Sequence, residues 1–213
     1  MNSMRKLFAA SWLAVWAFAA HASGLDALQN FVKSAHSGRA EFTQVVTAPA
    51  REGQAARSKS SSGTFEFLRP NRFRFDYRKP FEQTIVADGQ TLWLYDADLN
   101  QVTARKQAQA LGSTPAALVA ASPDVNALRK DFDLEAAGEK DGVQWVQATP
   151  KAKDGQLNLV KIGFRGSDLA TLEILDGFGQ RSLITFTKME LNAHVPADKF
   201  QFKPPKGADV VKQ

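Results

Sequence analysis

The clearest pattern along the chain is a strict alternation of apolar and charged positions after residue 71. Three aromatic residues alternate with arginines and an aspartate over Arg72–Arg78. A period of two places one set of side chains on each face of a strand. The segment before the Pro70–Asn71 turn has the same spacing, so we predict an antiparallel hairpin with one buried aromatic face. The aromatic positions of the two segments are Phe65, Phe67, Phe73, Phe75 and Tyr77.

Similar short runs fill most of the remaining chain. Turn signals such as Asp88–Gly89, Asp141–Gly142 and Asp176–Gly177 separate them. We predict about ten or eleven strands at roughly ten-residue spacing, the last of them over residues 199–205. This spacing indicates one large antiparallel sheet that curls into a barrel or a sandwich.

Three segments have helical rather than strand-like patterns. Residues 24–36 place their apolar side chains on one helical face. Ser113-Thr114-Pro115 is a helix start before AALVAA, and Ser122-Pro123-Asp124 opens a second short helix through Leu128. The polar stretch Arg51–Ser62 is typical of a mobile loop.

The first 22 residues have the pattern of a secretory signal peptide. Arg5 and Lys6 precede a 14-residue apolar stretch, and Ala20-His21-Ala22 is a small-x-small cleavage site. A retained membrane anchor is the alternative, but a spanning helix needs about 20 apolar residues. We therefore predict cleavage after residue 22, one domain over residues 23–213, and export from the cytoplasm.

Composition narrows the candidate chemistry. The chain has 0 Cys and 3 His, so thiolate chemistry is excluded and a histidine-rich metal site is disfavoured. The net charge is +5, and it becomes +3 without Arg5 and Lys6, which is too little to indicate nucleic acid or an anionic surface. No phosphate-binding or dinucleotide motif is present, and no G-x-S-x-G, although a serine-histidine-acid triad assembled only in space stays open. We predict a protein that is not an enzyme and has no cofactor and no metal.

The Phe-rich face raises a question that the pattern alone leaves open. The chain has 15 Phe against 2 Tyr, which gives much apolar area and few polar groups. A small closed barrel fills its interior with its own side chains, whereas a larger or incomplete barrel leaves an apolar cavity. The few short helices then either complete a solid core or cover a cavity as a lid.

Residues 63–103 resemble the outer-membrane lipoprotein carrier family, LolA, of Gram-negative bacteria. The most specific parts of this resemblance are Arg69-Pro70-Asn71 with the aromatic run after it, and the segment VADGQTLWLYD. The helix start at Ser113 and the C-terminal segment KFQFKPPKGADVV also resemble the family, and they follow in the same order. The lack of cysteine favours the soluble carrier over the related outer-membrane receptor, which begins with a lipidated cysteine.

The resemblance implies a mainly β fold with a few short α-helices: an unclosed antiparallel β-barrel with a helical lid over an apolar cavity. It also implies a monomeric periplasmic chaperone. Such a carrier accepts triacylated lipoproteins from an inner-membrane lipoprotein-releasing ABC transporter and delivers them to an outer-membrane receptor.

The resemblance also implies roles for single residues. Arg69 is the expected latch, whose guanidinium holds the closed lid through helix carbonyls. Phe73 matches a position at the cavity rim, whereas Phe75 and Trp93 fit either the cavity or the core. Leu118 and Val119 lie where the lid helix presents apolar side chains inward. The expected cargo cavity is formed by Phe65, Phe67, Phe73, Phe75, Tyr77, Trp93, Leu118 and Val119.

Some alternatives stay open at this stage. AALVAA is smaller than the bulky segment often found in the family's lid helix, so the cargo preference is in doubt. A related periplasmic carrier or sensor of a different lipid or amphiphile is the main alternative. A hydrolase that uses the same cavity is a third class.

Overall fold

The computed structural model describes residues 23–50, 53–110, 122–152 and 157–213. Within these ranges the chain forms a single sheet with the order β12-β6-β5-β4-β3-β2-β1-β11-β10-β9-β8-β7. Neighbouring strands are antiparallel, except that β12 runs parallel to β6. The strands are β1 (Ser37–Thr47), β2 (Ser58–Leu68), β3 (Arg72–Lys79), β4 (Gln83–Asp88), β5 (Thr91–Asp96), β6 (Gln101–Lys106), β7 (Phe132–Lys140), β8 (Val143–Pro150), β9 (Leu157–Arg165), β10 (Asp168–Asp176), β11 (Arg181–Leu191) and β12 (Asp209–Lys212).

The two ends of this strand order, β12 and β7, are not paired with each other. The sheet formed by the described residues is therefore open, which confirms the predicted mainly β, unclosed antiparallel architecture. The helical lid of that prediction is not directly visible in the described residues.

Within the described ranges, three short α-helices and one 3-10 helix accompany the sheet. They are α1 (Gly24–Ser34), α2 (Gln107–Ala110) and α3 (Val125–Asp131), and a 3-10 helix spans Ala197–Phe200. The Ser23 side chain accepts from the Asp26 N–H while Asp26 accepts from the Ser23 N–H, which closes a capping box at the start of α1. The apolar face of α1 packs over β7, β8 and β9 on the inner side of the sheet.

Close contact between β2 and β3 depends on Gly63. A Cβ built at this position would lie 1.9 Å from the backbone oxygen of Asp76 and 3.0 Å from the Phe42 ring. Only glycine fits there, so Gly63 allows the β2–β3 hairpin to fold closely over the ring of Phe42.

Several details of the sequence prediction were wrong. The described residues contain twelve strands. β2 begins at Ser58, inside the stretch expected to be a loop, because Ser58–Ser62 pair with β1. Residues 199–205 form no strand: the 3-10 helix ends at Phe200, and the final strand is the parallel β12. The predicted helix after Ser113 lies outside the described residues.

Apolar side chains are buried on both faces of the sheet. The larger cluster lies on the same side as α1, which we call the inner side, and a smaller one, built on Val86, Val195 and Phe200, lies on the other side. Among the described residues no helix is long and apolar enough to cross a membrane.

Candidate functional site: the aromatic interior and Arg69

The predicted aromatic hairpin forms the centre of the inner face. Phe65 lies directly opposite Phe75, and Phe67 opposite Phe73, in the β2–β3 register. The four side chains are 0–2% exposed. The rings of Phe65 and Phe75 have centroids 4.5 Å apart, and those of Phe65 and Phe67 are stacked at 5.8 Å. The structure thus brings together the four phenylalanines that the alternation placed on one face.

Other elements contribute rings that the sequence analysis did not single out as site residues. Phe31 of α1 lies 6.0 Å from Phe67 and 5.6 Å from Phe164 of β9, measured between centroids. Phe42 of β1 lies 5.3 Å from Phe75, and Phe186 of β11 lies 5.3 Å from Phe65. Each of these four phenylalanines fits the apolar periodicity of its own helix or strand. That these positions meet follows only from the pairing of distant strands.

Tyr77 ends the aromatic row on β3 and brings a polar group into it. Its ring meets Phe42 edge-on at 4.9 Å, and its hydroxyl donates to Gln44 Oε1 at 2.9 Å. Gln44 Nε2 in turn donates to the Ser182 hydroxyl at 2.7 Å. Burial raises the pKa of Tyr77 to about 12, so the phenol stays neutral. This end of the interior is closed by neutral hydrogen bonds between β3, β1 and β11.

Arg69 closes the opposite end of the row. Its Nε donates to the carbonyl oxygen of Ala35 at 2.6 Å, and its NH1 donates to the carbonyl oxygen of Ser122. Its own backbone N–H donates to the His36 oxygen at 2.8 Å. Ala35 is the C-cap of α1, so the cation lies at the negative end of that helix. Arg69 therefore joins the sheet both to α1 and to the chain that leads into α3.

The rings beneath Arg69 complete its surroundings. The guanidinium carbon lies 5.5 Å from the centroid of Phe31 and 5.7 Å from that of Phe67. Burial lowers the pKa of Arg69 to about 10, which still leaves it protonated at neutral pH. The planar cation can stack on the rings and donate to several carbonyls at once.

A groove of about 660 Å³ opens beside Arg69. Its walls come from the last turns of α1, from the start of α3 and from the Arg69–Pro70 segment. The lining is mixed in character, with Val32 and Val125 beside Lys33 and Arg129. The groove therefore lies between the two helices, next to Arg69, and we call it the seam.

Trp93 is not part of the inner aromatic group. It lies opposite Val86 on β4, packs 5.6 Å from Phe202 between centroids, and donates from Nε1 to Asp88 Oδ2 at 2.9 Å. The structure thus places it in the smaller cluster on the other side of the sheet, away from the predicted cavity residues. Leu118 and Val119 lie outside the described residues, which resume at Ser122.

The polar groups of the described residues do not form a metal centre. They contain no group of three or more His, Asp or Glu side chains that could hold a metal ion. The buried polar side chains in this part of the chain are Ser37, Gln107 and Thr171. The site is instead an apolar interior with a hydrogen-bonded cation at one end, an arrangement suited to binding an apolar ligand.

Comparison with known proteins gives relatives over nearly the whole chain. An outer-membrane lipoprotein carrier protein of Albidiferax ferrireducens is 63% identical, covering 98% of this chain and 100% of the relative. One from Methylibium petroleiphilum is 54% identical, covering 95% and 97%.

Among solved structures, a domain from Vibrio parahaemolyticus named for outer membrane lipoprotein sorting has a TM-score of 0.50 at 9% identity. It covers 83% of this chain and 94% of its own, and at this identity the likeness concerns the fold alone.

The family model of the outer membrane lipoprotein carrier protein LolA matches residues 33–203, a range that includes Arg69 and all the described aromatic residues of the interior except Phe31. Together with relatives at this level of identity, the match shows that the chain belongs to the LolA family.

Proposed function

We propose that this protein is a periplasmic carrier that shields the acyl chains of lipoproteins in its aromatic interior. It takes them from an inner-membrane ABC transporter and delivers them to an outer-membrane receptor. The observation that carries this proposal is the continuous row of rings from the buried Phe31 to the half-buried Tyr77, closed at one end by Arg69. Membership of the LolA family supports it independently.

The interior suits acyl chains because its rings offer apolar area without directional bonds. In the structure the rings pack on one another, and Phe65, Phe67 and Phe73 are at most 1% exposed. Loading therefore exchanges ring–ring contacts for ring–acyl contacts. Such an exchange keeps the net affinity moderate, which a carrier needs if it is to release its cargo.

Arg69 is the natural control point for loading. It donates to carbonyl oxygens of Ala35 and Ser122, so one side chain links both α1 and the start of the α3 segment to the sheet. A hydrogen bond from a charged donor is worth about 1.5–3 kcal/mol. Cargo that enters along the seam breaks these bonds, and their re-formation favours release.

Extraction from the bilayer must be driven by a partner. Burying a methylene is worth about 0.8 kcal/mol, so one 16-carbon chain amounts to about 12 kcal/mol. Several chains would leave the membrane negligibly slowly without an external source of energy. The proposal assigns this energy to the ATP-driven transporter that hands over the cargo.

The experiment that tests the proposal is a release assay. Protein purified from cells expressing the full chain is added to spheroplasts that make labelled lipoproteins, and the medium is analysed for a soluble one-to-one complex. Release that depends on the added protein is expected. If a known carrier releases label and this protein does not, the proposal is wrong, and its bound lipid should be identified by mass spectrometry.

The role of Arg69 is tested in the same assay. Arg69→Leu should still take up cargo but transfer it poorly to receptor-bearing liposomes, because the closed state that favours release is lost. Arg165→Leu, a change at an exposed arginine at the end of β9, serves as the matched control. Normal transfer by the Arg69 variant would contradict the latch.

A further inference from the structure

Gln107, the first residue of α2, is a buried polar side chain to which the proposed function assigns no role. It is 2% exposed, yet its amide is bonded at both ends. Oε1 accepts from the Gly89 N–H at 2.9 Å, and Nε2 donates to the carbonyl oxygen of Asn71 at 2.7 Å. Its backbone N–H donates to the Gln90 oxygen at 2.8 Å. Gln107 therefore links the β4–β5 turn to the turn that begins at Arg69.

The β4–β5 turn is a rigid support for this link. Asp88 Oδ1 accepts from the N–H groups of Gln90 at 2.8 Å and Thr91 at 2.7 Å, and Oδ2 accepts from Trp93 Nε1 at 2.9 Å. Gly89 has a φ of +104°, a conformation that suits glycine. The carboxylate thus fixes the turn from inside, and the Gly89 N–H is left to bind the amide on α2.

The other partner, Asn71, ends the turn Arg69-Pro70-Asn71, which we call the latch turn. Asn71 has a φ of 64°, which asparagine tolerates better than most residues do. On one side of the turn, the Arg69 N–H donates to the His36 oxygen at 2.8 Å. On the other side, Gln107 holds the Asn71 carbonyl. The latch turn is thus held between the end of α1 and the start of α2.

The chain meets the same turn again at Ser122. Arg69 NH1 donates to the carbonyl oxygen of this residue. Gln107 and Ser122 therefore bind the latch turn at neighbouring positions, the first at Asn71 and the second at Arg69. A small displacement of the turn would change the length and the angle of the guanidinium bonds, on which the strength of a hydrogen bond depends steeply.

We propose that Gln107 is a positioning residue for Arg69. By holding the Asn71 carbonyl against the β4–β5 turn, its amide keeps the latch turn where the guanidinium reaches the carbonyl oxygens of Ala35 and Ser122. The inference rests on the proposed function, because transfer of cargo is what the latch controls. An amide that only filled the core would affect stability and leave the bonds of Arg69 unchanged.

The first test needs no cargo and uses protein purified from cells expressing the full chain. Nuclear magnetic resonance measures how fast the Arg69 Nε–H proton exchanges with water. The bond to Ala35 should slow this exchange in the wild type. Gln107→Met keeps the length and the helix propensity of the side chain but removes both of its hydrogen bonds. It should speed the exchange by about tenfold, because the bond from the charged donor is weakened.

Thr171→Val is the matched control. Thr171 is also buried, and its hydroxyl donates to the Ile184 carbonyl oxygen at 2.9 Å on the β10–β11 pair. Both variants should lower the thermal stability, since each loses a buried hydrogen bond. Only Gln107→Met should change the exchange of the Arg69 proton. A third variant, Gln107→Asn, stays polar but is too short to reach both partners, and it should speed the exchange in the same direction.

The second test measures transfer of cargo to receptor liposomes, with the wild type as reference. Gln107→Met should take up cargo but transfer it roughly tenfold more slowly. Arg69→Leu/Gln107→Met should be no slower than Arg69→Leu alone, because both changes act on the same bonds. Thr171→Val should transfer normally.

The inference is wrong if the Gln107 variants leave either the exchange or the transfer unchanged, or if Thr171→Val produces the same changes. It is also wrong if the losses in the double variant multiply, because Gln107 then acts independently of Arg69. A wild type that carries no cargo would contradict the proposed function instead, and the exchange measurement would still decide whether Gln107 positions Arg69.

Discussion

The guanidinium of Arg69 lies over the rings of Phe31 and Phe67 and donates to carbonyl oxygens of Ala35 and Ser122. Burial lowers its pKa to about 10, and it stays charged because that value is still well above neutral pH. A lysine at the same place would start from an ordinary pKa of about 10.4, and burial would lower that value further. At the scale of the residue, an arginine therefore stays protonated in this partly buried site more readily than a lysine would.

The first prediction concerns this difference. Cargo transfer by Arg69→Lys should be close to normal at about pH 6 and should fall as the pH rises towards about 9, because the buried ammonium loses its proton first. Transfer by the wild type should stay constant over this range. The measurement is the transfer rate to receptor liposomes against pH, with Arg165→Lys as the control. Parallel profiles for wild type and Arg69→Lys would contradict a role for the charge.

At the scale of the elements, α3 is short and depends on its first residue. Asp124 is the N-cap, and its side chain accepts from the Ala127 N–H at 2.8 Å. Ser122, which Arg69 binds, lies two residues earlier. The cap of α3 therefore also sets how the chain approaches the latch.

The second prediction follows from that placement. Asp124→Ala should lower the free energy of unfolding by about 1 kcal/mol, the usual loss for an N-cap. It should also speed hydrogen exchange of the amides of α3 more than those of β9. Asp131→Ala, at the last residue of the same helix, controls for the loss of a carboxylate. Unchanged exchange in α3 would show that the cap does not stabilise the helix.

The elements also show what the sequence could and could not predict. A period of two identifies which residues of one strand share a face, so the pairing of Phe65 and Phe67 with Phe73 and Phe75 was within reach. It does not relate distant strands, and Trp93 lies across from Val86 on the other face. Phe200 and Phe202 alternate as in a strand, yet they pack over the sheet from a 3-10 helix and the segment after it. The parallel β12 follows two prolines and has only four residues, too few to show a period.

At the scale of the whole molecule, the sheet separates two apolar clusters, and the proposal assigns cargo to only one of them. Phe65 on the inner face and Phe200 on the outer face are both 1% exposed, which makes them a matched pair. Phe65→Tyr and Phe200→Tyr each bury a hydroxyl, and each should lower the free energy of unfolding by about 1–3 kcal/mol. Only the inner change should weaken uptake of a triacylated peptide, by roughly tenfold, because acyl chains would cover the hydroxyl. Equal losses of uptake in both variants would mean that binding merely follows stability.

The last prediction tests whether loading requires α1 and the α3 segment to separate. Lys33 of α1 and Asn126 of α3 are exposed and line the same groove beside Arg69, so a short bismaleimide should bridge Lys33→Cys/Asn126→Cys. The chain has no cysteine of its own, and the bridge would therefore be the only one formed. The bridged protein should lose uptake of triacylated peptide, because the rings behind the seam are buried and chains can reach them only when the seam opens. The same double variant without the reagent, and each single cysteine with it, should load normally. Undiminished uptake by the bridged protein would place the entrance elsewhere, and the groove beside Tyr77 at the opposite end would then be the next opening to block.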